Sequence, residues 1–552
     1  MQAALAIHNL EVNFGHTQVV KNISFDIPPG KLTALVGESG SGKSVTALSI
    51  LKLLPGTAQC QGNILFKNAG TTENLLSLGS KAMAAIRGNR ISMIFQEPMT
   101  SLNPLLTCGV QVTEALRQHT KISKQKARQL TMDLFSQVGF HDPVSVMKRY
   151  PHEISGGQKQ RVMIVMAICC KPDLLIADEP TTALDVTVQK NILRLIKALQ
   201  EQNNMAVLLI THDLGVVADI ADHIILMYQG KIVEQGDTQK VLQNPSHPYT
   251  RALLSCRPAA NQKQYRLPVI SQFLETDLPY VPILKPVTHI QENEELQVEN
   301  VKVYFPMQKN VFGKPKSFFK AVDDVSFTVH KNEILGLVGE SGCGKTTLGR
   351  TILQLQQATS GNIYLKGKNV QNLDDGEKKI FRKEIQIVFQ DPYGSLNPRL
   401  TIGDAIEEPL QVHGIYKNKN QRKERVIELF EQVNLHPDLV NRYPHQFSGG
   451  QRQRICIARA LALNPSFLVF DESVSALDVS VQAQVLNLIT DIKSSLRLSA
   501  IFISHDLSVV HYISDRILVM QKGKIVEAGN ADDIFYRPVQ PYTRELINSI
   551  MA

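Results

Sequence analysis

The sequence predicts two tandem α/β domains, each built on a mostly parallel sheet, in one chain of 552 residues. Three observations predict it. First, Gly37-Glu38-Ser39-Gly40-Ser41-Gly42-Lys43-Ser44 and Gly339-Glu340-Ser341-Gly342-Cys343-Gly344-Lys345-Thr346 fit one pattern, G-x-x-x-x-G-K-[S/T]. Each follows an apolar run ending in Leu35-Val36 or Leu337-Val338, as a buried strand should before its loop. Second, the repeat is global: Gln96, Ser155, Glu179 and His212 recur as Gln390, Ser448, Glu472 and His505, at offsets of 293 or 294 residues. A unit that long is a whole domain and too long for a solenoid repeat. Third, both halves alternate short apolar runs with amphipathic segments, the rhythm of strands and helices around a parallel sheet.

The halves differ in loop length. Lys43 recurs as Lys345, an offset of 302, and Pro306 to Lys316 lengthens an early turn of the second half. A boundary is expected near Cys256, because Arg257 to Glu295 holds Pro258, Pro268, Pro279, Pro282 and Pro286 and shows no helical periodicity. This gives domains at 1–256 and 296–552, with 257–295 as an extended connector.

The loops point to a nucleoside triphosphate. Gly37, Ser39, Gly40 and Gly42, with Gly339, Ser341, Gly342 and Gly344 in the repeat, let consecutive backbone N–H groups curl around a phosphate chain. Lys43 and Lys345 would reach the β- and γ-phosphates, and the hydroxyls of Ser44 and Thr346 would ligate Mg²⁺. Downstream, Leu174 to Glu179 and Phe467 to Glu472 read as apolar strands ending in Asp-Glu. Such strands set two acids at the carboxyl edge of the sheet. Asp178 and Asp471 are placed to hold Mg²⁺, and Glu179 and Glu472 to orient or deprotonate the attacking water. Before each acidic strand, Ser155-Gly156-Gly157-Gln158 and Ser448-Gly449-Gly450-Gln451 precede a basic, apolar-periodic stretch. Serine and two glycines ahead of a helix offer an N-cap and a cluster of free N–H groups.

This combination resembles the ATPases of the ABC family, with the loop as Walker A, the acidic strand as Walker B and Ser-Gly-Gly-Gln as the signature. The resemblance covers nearly the whole chain outside the connector. It implies a RecA-like parallel-sheet core, an antiparallel β subdomain and a helical subdomain in each half. It also implies that Gln96 and Gln390 are the Q-loop glutamines and further Mg²⁺ ligands, and that Ala183-Leu184-Asp185 and Ala476-Leu477-Asp478 are D-loops. By the same resemblance His212 and His505 are switch histidines for the γ-phosphate, and Phe14 and Phe305 stack on adenine, although either could be a core residue. The two domains would pack head to tail. One site would combine Lys43, Ser44, Asp178, Glu179 and His212 with Ser448 and Gly450; the other would combine Lys345, Thr346, Asp471, Glu472 and His505 with Ser155 and Gly157, and Gln158 and Gln451 stand beside these serines.

Finer matches resemble the ATPases of bacterial oligopeptide, dipeptide and nickel importers. They are Gln96 to Pro104 and Gln390 to Pro398, Arg149-Tyr150-Pro151-His152 and Arg442-Tyr443-Pro444-His445, and the endings His247-Pro248-Tyr249-Thr250-Arg251 and Gln540-Pro541-Tyr542-Thr543-Arg544. Most similar is the fused double-ATPase subunit of peptide importers, including those for microcin-like peptides. The resemblance implies ATP and Mg²⁺ as cofactors, with two membrane-spanning permease subunits and an extracytoplasmic solute-binding protein as partners. It implies a peripheral place on the cytoplasmic face of the bacterial inner membrane. A nickel or other small-solute importer, a fused sugar-importer ATPase and a ribosome-acting tandem factor are the alternatives. The ribosomal reading is disfavoured because its linker is long, charged and helical, whereas this one is rich in proline. Two departures stand out: Cys256 is the one cysteine where relatives carry an iron–sulfur cluster, so no cluster is expected, and Ser473 replaces a proline after Glu472.

Bulk composition agrees. Hydrophobic content of 43% and charged content of 20% are ordinary for a globular chain. The longest apolar run, Val162 to Cys170, falls far short of the ~20 residues that cross a bilayer. The N-terminus carries no basic leader, so no secretion signal is expected. Seven cysteines without a CxxC pair fit a reducing compartment. A net charge of +8 with no Trp and 6% aromatics gives little support to nucleic-acid binding.

Overall fold

The computed structural model describes every residue except 1–2, 69–70, 97–100, 182–185, 257, 259–263, 276–292, 310–314, 476 and 552. The chain forms two compact units, Met1–Leu254 with Ile270–Leu278, and Ser255–Val269 with Pro279–Ala552.

In the first unit, β1 (Leu5–Phe14), β2 (Thr17–Ile27), β4 (Ala58–Asn68) and β5 (Thr71–Asn74) form an antiparallel sheet in the order β2-β1-β4-β5. The main sheet runs β10-β9-β3-β8-β7-β6, from β3 (Leu32–Val36), β6 (Ile91–Ile94), β7 (Leu174–Asp178), β8 (Ala206–Thr211), β9 (His223–Tyr228) and β10 (Lys231–Asp237). All its pairings are parallel except β9 with β10 at the edge. Every residue of β3, β7 and β8 is buried. Their continuous apolar runs are what a parallel sheet covered on both faces demands. One core lies between the two sheets, around Leu10, Ile23, Leu35, Ile64 and Ile176. The other joins the main sheet to helices Cys108–His119, Lys124–Gln137 and Gly156–Ile168 through Val112, Phe135, Val162 and Leu175.

The second unit repeats the plan. Its antiparallel sheet is β12-β11-β14-β15, from β11 (Glu294–Lys309), β12 (Pro315–His330), β14 (Ser360–Leu365) and β15 (Lys368–Asn369). Its main sheet is β16-β17-β18-β13-β19-β20, from β13 (Ile334–Val338), β16 (Ile385–Val388), β17 (Phe467–Asp471), β18 (Ser499–Ser504), β19 (Arg516–Gln521) and β20 (Lys524–Asn530). Strands β11 and β12 have 16 residues each, against 10 and 11 for β1 and β2, while β14 has 6 against 11 for β4. The longer first hairpin, which precedes the loop, accounts for the larger offset at the lysine, and the shorter third strand after it brings the offset back down.

The connector departs from the expected extended chain. Ile270–Glu275 is a helix, and Leu267 and Ile270 are buried. Val269, Ile270, Phe273 and Leu274 supply an apolar stripe too short to register as periodicity. Within the second unit, both amide faces of Leu267 are taken by the Asn487 side chain, at 2.9 Å and 2.8 Å, and Arg266 pairs with Asp491 at 2.6 Å. Strand β11 begins at Glu294, so the polar end of the connector is already sheet.

Candidate functional site

Four strands of the first unit deliver the site, because parallel strands put their carboxyl ends on one edge. β3 ends at Val36 and feeds the loop 37–42; β6 leads to Gln96, β7 to Asp178 and Glu179, and β8 to His212. The loop turns into helix Lys43–Ile50 through Gly42 at φ 102°, and its counterpart Gly344 sits at φ 110° before helix Lys345–Ile352. Only glycine adopts that backbone without strain. At Gly37 and Gly339 a Cβ would meet the carbonyl oxygens of Met227 and Met520 at 2.1 Å and 2.2 Å, so the loop lies directly on the neighbouring strand.

Lys43 is buried, and its Nζ donates to the carbonyls of Gly37 and Glu38, both at 2.8 Å. Lys345 does the same to Gly339 at 2.7 Å and Glu340 at 2.9 Å. The ammonium thus braces its own loop from inside. Ser44 Oγ donates to Asp178 Oδ1 at 3.1 Å, and Thr346 Oγ1 to Asp471 Oδ1 at 2.9 Å. Burial pushes Asp178 up to about 6, with Glu179 adding to the rise and the Ser44 bond and Lys43 opposing it. Burial likewise raises Asp471.

The catalytic candidates are linked to one another. Gln96 Nε2 donates to Glu179 Oε2 at 2.9 Å, and Gln390 Nε2 to Glu472 Oε2 at 2.8 Å. His212 Nδ1 lies 3.3 Å from Glu179 Oε1, and His505 Nδ1 lies 3.6 Å from Glu472 Oε2. Burial alone would raise Glu472, but His505 and Lys345, 3.9 Å away, hold it below the usual carboxylate value. Both glutamates adopt the left-handed backbone, φ 45° and 46°, while their N–H groups still bond Ile210 and Ile503 across the sheet. Such strain in a non-glycine residue persists where the surrounding structure over-determines it.

Ser155 and Ser448 cap helices Gly156–Ile168 and Gly449–Leu461. Each serine hydroxyl accepts from the N–H of Gln158 or Gln451, and the serine N–H donates to that glutamine's Oε1 at 3.1 Å. Phe14 is half-buried against the inter-sheet core. Phe305 is 36% exposed on β11, opposite Phe319, while the adjoining Tyr304 hydroxyl is committed to Asp323. Ala183-Leu184-Asp185, the segment 97–100 and Ala476 lie outside the described residues. Sequence reasoning missed two contacts: Tyr249 and Tyr542 accept from the N–H groups of Glu38 and Glu340, at 3.1 Å and 3.0 Å. Their only signal was the repeated Pro-Tyr-Thr-Arg near the end of each half.

A family model described as ABC transporter matches residues 20–182 and 322–475. The chain belongs to the ABC transporter family. A second model, the C-terminal region of oligopeptide/dipeptide transporters, matches 233–275 and 526–552. The glutathione import ATP-binding protein GsiA of Escherichia coli (strain K12) is 46% identical over 558 residues, covering 99% of this chain and 89% of that protein. The protein of the same name in Shigella sonnei (strain Ss046) gives the same figures, and that of Shigella flexneri serotype 5b is 45% identical over the same shares. This ABC chain is therefore an ATP-binding, ATP-hydrolysing subunit of the oligopeptide/dipeptide importer type, an ATPase coupled to transmembrane transport. Among the described residues, no helix is long and apolar enough to cross a membrane.

The raised carboxyl of Asp178 carries a stability prediction for nucleotide-free protein in EDTA. Its folded value, about 6, lies above the ordinary 3.8, so the folded state binds the proton first as pH falls. The cost of the buried charge is present at pH 7 and disappears as pH drops through that window. Asp178→Asn is expected to stabilise by on the order of 2 kcal/mol at pH 7, and the gain to vanish near pH 4. Melting curves at both pH values check this; a variant melting below the native protein at pH 7 contradicts it.

Proposed function

We propose that both units bind and hydrolyse ATP with Mg²⁺, and that the chain energises uptake of short peptides through a two-subunit permease fed by an extracytoplasmic binding protein. The observation that supports it best is the duplicated cluster of lysine, hydroxyl–carboxylate pair, glutamate, glutamine and histidine at one sheet edge of each unit. A hydroxyl beside a buried carboxylate is a hard-oxygen donor pair suited to Mg²⁺, and a carboxyl raised to about 6 lacks the positive charge that ion would bring. Ser44 and Asp178, with Gln96, would hold it in one unit, and Thr346, Asp471 and Gln390 in the other. When bound, the metal neutralises phosphate charge and orients the γ-phosphate.

The side chains divide the rest. Lys43 and Lys345 turn from the loop carbonyls to phosphate oxygens. Glu179 and Glu472 orient the attacking water and accept its proton, and His212 and His505 fix that carboxylate and contact the γ-phosphate. Phe14 and Phe305 support the adenine. The signature groups Ser155, Gly157 and Gln158, and Ser448, Gly450 and Gln451, would complete the opposite unit's site in a head-to-tail pair. Fusion in one chain raises the effective concentration of that partner.

The 46% identity to a glutathione importer over 99% of this chain makes tripeptide-sized solutes the leading class. A groove of about 320 Å³, lined by Leu51, Leu53, Met93, Phe95, Met163 and Met166, opens next to the Gln96 segment. Phe95 and Leu53 are 42% and 40% exposed there, a seat for an apolar permease helix. The chain would then be peripheral, on the cytoplasmic face of the inner membrane. Charge alone is a poor anchor, since +8 over 552 residues is screened within ~8 Å at physiological salt. Membranes carrying the permease subunits are expected to retain the chain in high salt and to take up labelled glutathione or dipeptides. Equal retention without the permease, released by salt, would overturn the docking reading, and loss of nickel uptake alone would overturn the peptide one.

A further inference from the structure

We propose that Tyr249 and Tyr542 are positioning residues, through which the segment that follows each ATPase core holds the first peptide of its phosphate loop. The inference rests on the reading of 37–44 and 339–346 as nucleotide loops. It assigns a task in the ATPase reaction to the two regions, 233–275 and 526–552, that mark the oligopeptide/dipeptide class.

The geometry is the same in both units. Glu38 N–H donates to the Tyr249 hydroxyl at 3.1 Å, and Glu340 N–H to the Tyr542 hydroxyl at 3.0 Å. These are the second residues of the two loops. The carbonyls of the same peptides, those of Gly37 and Gly339, accept from the loop lysines at 2.8 Å and 2.7 Å. One peptide is therefore gripped at its oxygen by lysine and at its nitrogen by tyrosine. When the lysine leaves for phosphate, the tyrosine bond keeps the start of the loop in place.

The tyrosines are themselves anchored. Tyr249 is fully buried in helix Pro248–Ser255, its ring 4.4 Å from that of Tyr228, and Tyr542 is 8% exposed in helix Pro541–Met551. The start of each helix is clamped to the last strand of its main sheet by a glutamate. Glu234 accepts from Ser246 N–H at 2.8 Å, His247 N–H at 3.2 Å and the buried Thr250 hydroxyl. Glu527 accepts from Val539 N–H at 2.8 Å, Gln540 N–H at 3.1 Å and the buried Thr543 hydroxyl. Burial would raise the Glu234 carboxyl, but these donors hold it below the usual range, so the clamp stays charged. The chain of support runs from β10 or β20 through glutamate, threonine and tyrosine to the loop.

Tyr249→Phe deletes one oxygen and keeps the ring packing, leaving the Glu38 N–H without that acceptor. Losing a partner of a half-buried donor is expected to weaken nucleotide binding in that unit by about five- to tenfold. The test uses the full chain, photolabelled with an azido-ATP and mapped by proteolysis to each half. Tyr249→Phe should raise the half-saturating concentration for the first half only, and Tyr542→Phe for the second half only, with nucleotide-free melting temperature within a degree or two of native. Unchanged saturation in both variants overturns the proposal. A fall in melting temperature with equal loss from both halves also overturns it, by making the tyrosines merely structural. Lys43→Ala and Lys345→Ala, run beside them, separate the two readings: if they too leave saturation unchanged, the loops are not the nucleotide sites and the proposal falls with them.

Discussion

Replacing both Glu179 and Glu472 by glutamine is expected to cut ATP turnover by about 10²- to 10⁴-fold while nucleotide stays bound. Each glutamate stands where the acidic strand ends, held in a left-handed backbone that aims it away from the run of β7 or β17. Glutamine keeps the shape and an oxygen for the bond that Gln96 or Gln390 now makes, so the fold should tolerate it. What is lost is the negative charge proposed to orient water and take its proton. Each single variant should slow phosphate release and transport, since both units carry the full set of groups. Phosphate release and filter-bound nucleotide, measured on the same preparation, check this. If one single variant leaves ATPase and transport untouched, that half is regulatory and the symmetric reading fails.

The parts of the fold set by local pattern were legible in the sequence. The buried runs Leu32–Val36 and Leu174–Asp178 with their duplicates, the glycine loops and the Ser-Gly-Gly-Gln caps each carry their own short-range signal, and each lies where it was expected. The antiparallel edge strand β10 and the short helix Ile270–Glu275 were not read, because a few residues of either give no decisive period. The contacts that turn a list of motifs into a site were legible only through resemblance. Gln96 and Glu179 are 83 residues apart, and Tyr249 and Glu38 are 211 apart. No spacing rule reaches that far; the sheet topology brings them together. The tyrosines went unread for another reason too. A buried Tyr near the end of a domain passes for core, and only its hydroxyl, aimed at a loop amide, says otherwise.

Ser448→Arg is expected to abolish most hydrolysis at the site built on Lys43 while that site still binds nucleotide. Ser448 closes a capping box, its hydroxyl accepting from Gln451 N–H and its own N–H donating to Gln451 Oε1. Arginine cannot cap, so helix Gly449–Leu461 loses about 1 kcal/mol at its first turn. It also sets a long cation over N–H groups whose value lies in meeting an anion. The loop, lysine and Ser44–Asp178 pair of the first unit are untouched by this change, so binding there should persist. The proposed head-to-tail arrangement assigns the damage to the opposite half, because the signature of one unit serves the phosphate loop of the other. Nucleotide trapped during turnover, then mapped to each half, decides it. Retained labelling with lost release in the first half supports the crossed pairing, and a defect confined to the half containing Lys345 would mean that each unit works with its own signature.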